Sequence, residues 1–430
     1  MAPHARRSRA LSSLTRAALA AVLAVALSST GARAQSAGVV ALRFAAVVNP
    51  GQPTITDAVV VVRGDKIVSV GSGAATIPAG AWIVDLRPLT AIPGMIDAHT
   101  HMTYWRDKVK SPQGPSPRSP DTLLVLLADN ARKTLETGVT TVRDLNAGGG
   151  IDILMRDAIN KGAMIGPRMF VSGQGMSKRA TDTVPLDIKA MVRARVDAGA
   201  DWIKMFGSIG SGQNVTSTQT FTDAEMKLAA ETAHAYGKRI TIHSYGPSGA
   251  RGALHAGVES IEHPAGVPQA LLEEWAKTNV FYVPTIDHNR FYRDNATLLG
   301  YPQAVPQLDS FIALNLETAT RAHKLGIKFA MGSDALYWMF GDNTRELGWY
   351  IKAGMTPEEA LATATTNGAA MLGMADKLGA IGPGYFADIA AVEGDPLRDI
   401  DVVINNVRWV MKGGTVVVDK RTGVTTTSAR

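Results

Sequence analysis

The chain has no cysteine. Disulfide staples, thiolate metal ligands and a cysteine nucleophile are therefore excluded, and any bound metal must be held by nitrogen and oxygen. A chain of 430 residues buries enough core to stand without cross-links. A run long enough to cross a bilayer is also missing: the apolar stretch at residues 17–27 is too short. It sits between Arg6, Arg7, Arg9 and Arg16 and the small-residue triplet Ala32-Arg33-Ala34. That is the layout of a cleaved export signal, so residues 1–34 are read as a leader and the mature chain as secreted or periplasmic. An uncleaved anchor is the alternative. Arg6-Arg7 raises a twin-arginine route, but Ser8-Arg9-Ala10 fits one poorly, so the route stays open.

Net charge is the third absence. The whole chain carries 44 Lys and Arg against 38 Asp and Glu, but the leader holds five of the arginines and no acid. The remainder is almost balanced, which removes any reason to expect a nucleic-acid partner or, after signal cleavage, a membrane.

The polypeptide is β-rich at both ends. Val39-Val40-Ala41-Leu42-Arg43-Phe44, residues 58–62 and residues 66–70 after the Gly64-Asp65 turn read as short strands. Residues 387–392, 402–404, 407–411 and 415–418 read alike near the C-terminus. One small β-sandwich built from residues 35–91 and 376–430 is the economical reading. Between them, residues 92–375 alternate helix and strand. A good amphipathic helix at 121–137 leads into Val139-Thr140-Thr141-Val142-Arg143. A capping box, Thr222-Asp223-Ala224-Glu225, opens a helix that ends at Gly237, before Arg239-Ile240-Thr241-Ile242-His243. Such alternation means a parallel sheet, here a (β/α)₈ TIM barrel, so the fold class is α/β. The turn-rich segment 111–120 reads as a loop above the barrel mouth or as a plain linker.

Barrel enzymes place their chemistry at the C-terminal ends of the strands. His99 and His101 close one strand-like run, and residues i and i+2 of a strand share a face. Four further runs end in polar side chains: 201–206 carries Lys204, 239–243 ends at His243, 260–263 at His263 and 328–334 at Asp334. Each alone could be a satisfied histidine or a helix cap. Five in chain order is a constellation.

These residues carry a resemblance. Pro93-Gly94-Met95-Ile96-Asp97-Ala98-His99-Thr100-His101, Gly138-Val139-Thr140-Thr141-Val142-Arg143-Asp144, Ile261-Glu262-His263-Pro264, Gly332-Ser333-Asp334 and Gly382-Pro383-Gly384-Tyr385-Phe386-Ala387-Asp388-Ile389 all take part. On them the chain resembles the metal-dependent amidohydrolases, in the branch of imidazolonepropionase-like and prolidase-type dipeptidases that includes ochratoxin-hydrolysing amidases. The resemblance implies a binuclear centre, with zinc the expected metal. His99, His101 and Asp334 would hold the more buried ion and His243 and His263 the outer one. Lys204, carboxylated by CO₂, would bridge the two. It further implies water activated by the metal pair, with Asp334 as the proton carrier.

The substrate is less legible. Tyr245 stands where similar dipeptidases use a tyrosine near the substrate. The family's Gly-Gly-His loop is replaced by Gly173-Gln174-Gly175-Met176-Ser177-Lys178-Arg179, which leaves Lys178 or Arg179 as candidate grips for a carboxylate. His288 is a candidate for the pocket wall, while His234, His255 and His323 fall in helical patterns and belong to surface or core. The reading is cleavage of an amide bond in a dipeptide or N-acyl amino acid. A cyclic amide hydrolase, a lactonase or esterase on the same metals, and a non-enzymatic periplasmic metal-binding protein are the alternatives. A homo-oligomer is left open.

Overall fold

The computed structural model describes residues 38–110, 112–113, 120–179 and 185–421. The leader read at 1–34 and most of the turn-rich segment 111–120 lie outside them. No helix among the described residues is long and apolar enough to cross a membrane.

The chain opens with β1 (Val39–Val47), β2 (Ile55–Arg63), β3 (Lys66–Ser72), β4 (Trp82–Asp85) and β5 (Thr90–Pro93). Gly64 turns β2 into β3 at φ 59°, a conformation that only glycine adopts cheaply. The valine run of β2 divides by its period of two. Val60 and Val62 pack with Leu42 and Phe44, whereas Val59 and Val61 pack with Ala41 on the opposite side.

Parallel strands follow: β6 (Met95–Thr100), β7 (Val139–Asp144), β8 (Arg168–Val171), β9 (Trp202–Phe206), β10 (Arg239–His243), β11 (Ser260–Glu262) and β12 (Phe281–Val283). They form two sheets, β6-β7-β8 and β9-β10-β11-β12. A parallel bridge between Met176 and Met205 joins the first to the second. On the other side the chain at 328–335 closes the ring. Tyr282 N donates to Lys328 O at 2.8 Å, Ala98 N to Met331 O at 2.7 Å and Asp334 N to His99 O at 2.7 Å. This eighth staves position is extended but not a regular strand, because Asp334 turns to φ 52° and Ser333 spends its N–H on the Asp97 side chain. The result is the TIM barrel, with β10 typical of its strands. Ile240 and Ile242 face outward into the apolar layer under the helices, so Thr241 and His243 face in.

The helix Asp223–Ala235 shows how local signals set an outer element. Thr222 Oγ1 accepts from Glu225 N while the Glu225 carboxylate accepts from Thr222 N at 2.7 Å, a complete capping box. Such a cap contributes about 1 kcal/mol. Met226, Ala229, Ala230 and Ala233 make the buried stripe at helical spacing.

Three last strands, β13 (Ile389–Val392), β14 (Val407–Lys412) and β15 (Thr415–Asp419), return to the first sheet. Its order is β15-β14-β13-β5-β1-β2-β3, with β4 beside β1. Phe44 on β1 and Trp409 on β14 lie three strand steps apart, about 14 Å in a flat sheet. Their rings are 6.3 Å apart, so the sheet folds over and encloses a core of its own. Residues 402–404 differ from expectation: the β-branched run is a short helix, Asp401–Asn405. Val403 is its buried residue and Ile400, just before the helix, is buried three positions earlier, a spacing that overrides the local strand preference.

Candidate metal centre

At the C-terminal ends of the barrel strands, His99, His101, Lys204, His243, His263 and Asp334 line one cavity of about 300 Å³. All six are buried. Asp334 Oδ1 lies 2.9 Å from His101 Nε2 and 3.5 Å from His99 Nε2, and its Oδ2 lies 3.8 Å from His263 Nε2. The imidazoles of His243 and His263 are 4.7 Å apart, those of His99 and His263 4.9 Å. Ligand atoms of His99, His263 and Asp334, one from each, lie within 4.8 Å of one another.

The backbone is bent to reach this arrangement. His263, Thr285 and Asp334 all hold positive φ, at 64°, 50° and 52°. Each costs on the order of 1–3 kcal/mol, and such strain concentrates where a side chain must be aimed. Gly332 gives the room: a Cβ there would meet His99 Cβ at 2.8 Å and Val283 Cγ1 at 2.6 Å.

Beneath the cavity is a second layer of charge. Glu262 Oε2 accepts from His99 Nδ1 at 2.8 Å. A carboxylate only accepts, so His99 carries its proton on Nδ1 and keeps a lone pair on Nε2, facing Asp334. The other oxygen of Glu262 takes Arg143 Nη2 at 2.7 Å, Thr241 Oγ1 at 2.6 Å and Ser260 Oγ at 2.7 Å. Arg143 is itself enclosed, with Nε on Ala98 O at 2.6 Å and its guanidinium 4.5 Å from the Trp202 ring. Asp97 accepts from Ser333 N, Ser333 Oγ, Asn343 Nδ2 and His99 N, which ties β6 to the Asp334 turn.

The electrostatics separate the charged groups from the neutral ones. Burial pushes the His99 imidazole down to about 4, and it also holds His243 and His263 well below the usual histidine range. Their nitrogens are lone-pair donors at neutral pH. Burial would raise Asp334, but the facing imidazoles of His288, His99 and His101 outweigh it and keep the carboxyl ionised. Glu262 behaves likewise, with Arg143 the main counterweight to its burial. Lys204 is pushed down to about 8, chiefly by burial. Its Nζ and the Nε2 of His243 are buried without a hydrogen-bond partner. Orphans of this kind cost about 1–3 kcal/mol each unless a ligand satisfies them. Lone-pair imidazole nitrogens, one ionised carboxylate and a lysine whose proton is held less firmly than usual fit divalent cations.

Tyr245 and His288 also line the cavity. The Tyr245 ring stacks on His263 at 5.2 Å. His288 Nδ1 donates to Asp334 O at 2.9 Å, so this imidazole too has a fixed tautomer. The two cations of the 173–179 loop are not brought to the cavity. Lys178 Nζ pairs with Glu225 at 2.8 Å, drawn to the capping-box carboxylate, and Arg179 is exposed. In their place the wall holds Tyr104, Arg106, Asn146, Tyr292 and Tyr337, none of them singled out from the sequence. Glu262 and Arg143 stand in the quoted motifs but were given no role there, although fully buried charged side chains are uncommon. Outside the site, His234 and His255 pair with Glu259 and Glu274 on the surface, at 3.0 and 2.8 Å.

Comparison with known proteins adds an independent view. Residues 90–417 match the model of the amidohydrolase family. Ochratoxinase from Aspergillus niger is 26% identical over 418 residues, spanning 87% of this chain and 86% of that protein. A Xaa-Pro dipeptidase solved with methionine bound in its active site superposes with a TM-score of 0.80 at 28% identity, over 88% of this chain and 99% of that one. A prolidase complexed with N-methylphosphonate-L-proline gives 0.79 at 25% identity, over 89% and 100%.

Proposed function

The chain belongs to the amidohydrolase family and is a hydrolase of carbon–nitrogen bonds; from that premise we propose that it cleaves the amide bond of a dipeptide or N-acyl amino acid at a binuclear metal centre. The observation that carries the reading is the convergence of four imidazoles, one ionised carboxylate and a lysine without a hydrogen-bond partner in one cavity. There His99, His101 and Asp334 would hold one divalent ion and His243 and His263 a second, with Lys204, as its carbamate, able to serve both. A lysine pushed down to about 8 is deprotonated more readily than a free one, and the neutral amine is the form that adds CO₂. Zinc is the metal of choice for such nitrogen and oxygen donors. Bound there, the ions supply Lewis acidity and make water a nucleophile near neutral pH.

The remaining work falls to the protein. Asp334, ionised and at the centre of the cluster, takes the proton of the attacking water and delivers it to the leaving nitrogen. Glu262 holds His99 in the tautomer that presents Nε2. Buried Tyr245 forms one wall of the chamber and stands beside His243 and His263, where it orients the scissile carbonyl. Methionine and proline, the amino acids in the ligands of the two similar structures, each bear a carboxylate, which supports a substrate with one. The portion after residue 34 follows an export signal in this reading, so the enzyme acts outside the cytoplasm.

The test is hydrolysis of a panel by zinc-reconstituted protein lacking residues 1–34. The panel contains dipeptides, N-acyl amino acids, their C-terminal amides, cyclic amides and simple lactones. Preference for the free acids supports the proposal. Turnover only of cyclic amides or lactones discards the substrate class and keeps the metal chemistry.

A further inference from the structure

We propose that Arg106 selects the substrate by its free carboxylate. The assignment rests on the reading of this cavity as one for dipeptides or N-acyl amino acids, and it names the residue that makes that choice. Apart from the imidazoles, the charged side chains lining the cavity are Lys204, Asp334 and Arg106. Lys204 and Asp334 are buried within the candidate metal cluster. Arg106 is half-buried, on the loop that follows His101.

Its guanidinium lies 4.4 Å from the centre of the Tyr337 ring, and Nη1 donates to Pro112 O at 3.2 Å. The stack fixes the plane of the group and leaves its edge for hydrogen bonding. No acid among the described residues forms an ion pair with it. A cation in a partly desolvated wall with no counter-ion among the described residues is prepared for an anion, and the forked geometry of arginine matches a carboxylate with two parallel bonds.

The placement joins the two segments that bear the metal-binding candidates. Arg106 follows His101 by five residues, and Tyr337 follows Asp334 by three. Tyr337 N donates to Tyr104 O at 3.2 Å, which holds the segments together, and the Tyr104 ring stacks on His101 at 4.5 Å. A carboxylate on Arg106 is thereby set at a defined position relative to the scissile bond. Outside the candidate metal cluster, the described wall presents the aromatic faces of Tyr104, Phe206 and Tyr292 and no charged side chain besides Arg106 and the imidazole of His288. The geometry therefore selects an anionic amide whose side chain is uncharged.

The experiment compares wild type, Arg106→Lys and Arg106→Gln on N-acetylphenylalanine and N-acetylphenylalaninamide. In parallel, binding of phenylalanine and phenylalaninamide is measured by calorimetry, with thermal melts to establish folding. The acid-over-amide preference in kcat/KM should fall about 10- to 100-fold in Arg106→Gln, as loss of a charged hydrogen-bonding pair implies. It should fall less in Arg106→Lys, and the binding preference should fall in the same order. An unchanged preference in Arg106→Gln overturns the assignment, as does wild type binding phenylalanine no better than its amide. Wild type that cleaves neither compound, yet binds phenylalanine through Arg106, would instead refute the reaction and retain the recognition role. If Arg106→Gln does not fold, Tyr337→Leu, which removes the ring under the guanidinium, must lower the same preference.

Discussion

Glu262 reaches His99 and Arg143 at once, through Oε2 at 2.8 Å and Oε1 at 2.7 Å. The carboxylate thus sets the tautomer of a candidate ligand and neutralises a fully buried guanidinium. Glu262→Gln leaves the shape but removes the charge. Breaking one half of a buried pair costs about 3–5 kcal/mol, and losing an outer partner of a ligand costs about 10- to 100-fold in metal affinity. Urea unfolding and zinc titration of the variant read the two effects separately; a change in neither would show that Glu262 is only filler.

Asp334→Asn separates metal binding from proton transfer. The amide keeps an oxygen for the cluster but cannot take a proton from water. The variant should retain most of its metal while kcat falls about 10²–10⁴-fold, the usual worth of a general base. Metal content by elemental analysis and steady-state rates decide the matter, and retained turnover removes Asp334 from the proton path.

Lys204→Ala tests the bridge. Metal bound after gel filtration should drop from two ions per chain toward one, with activity lost alongside. Short carboxylates such as formate or propionate should restore part of both, since they can occupy the vacated bridge. Full metal and full rate without rescue would dispose of the carbamate.

The buried imidazoles also make an acid-stability prediction for the metal-free protein. His99 is held near 4 in the fold, against 6.5 for a free imidazole, and His243, His263 and His288 are lowered as well. Above about pH 6.5 both folded and unfolded forms are neutral, and the stability is fully present. Below it the unfolded chain takes protons that the folded chain refuses, so stability is lost as pH falls through 6 toward 4. Each histidine contributes a slope of up to about 1.4 kcal/mol per pH unit. Urea unfolding at pH 7.5, 6 and 5 checks this, and a flat profile contradicts it.

The gathering of His99, His101, Lys204, His243, His263 and Asp334 was legible because it follows from local rules. A period of two assigns a side chain to a face, and strand–helix alternation brings the strand ends to one rim. Glu262 was not legible by those rules: its partner His99 lies 163 residues away and pairs with it only once the barrel closes. Lys178 misled for a related reason, since the competing carboxylate of Glu225 is 47 residues further on. Residues 402–404 misled in the opposite direction, where β-branched composition concealed a helical spacing of Ile400 and Val403.

The late strand β13 lies along β5, pairing Ile389 with Pro93 and Val392 with Thr90, and Gly94 N donates to Asp388 O at 2.8 Å. β5 leads directly into the strand that carries His99 and His101. While the polypeptide is still being synthesised, β5 lacks this neighbour until almost four hundred residues have been made. The histidine pair near the beginning of the molecule therefore waits on its far end for a settled position, and maturation of the centre belongs to the finished chain rather than the growing one.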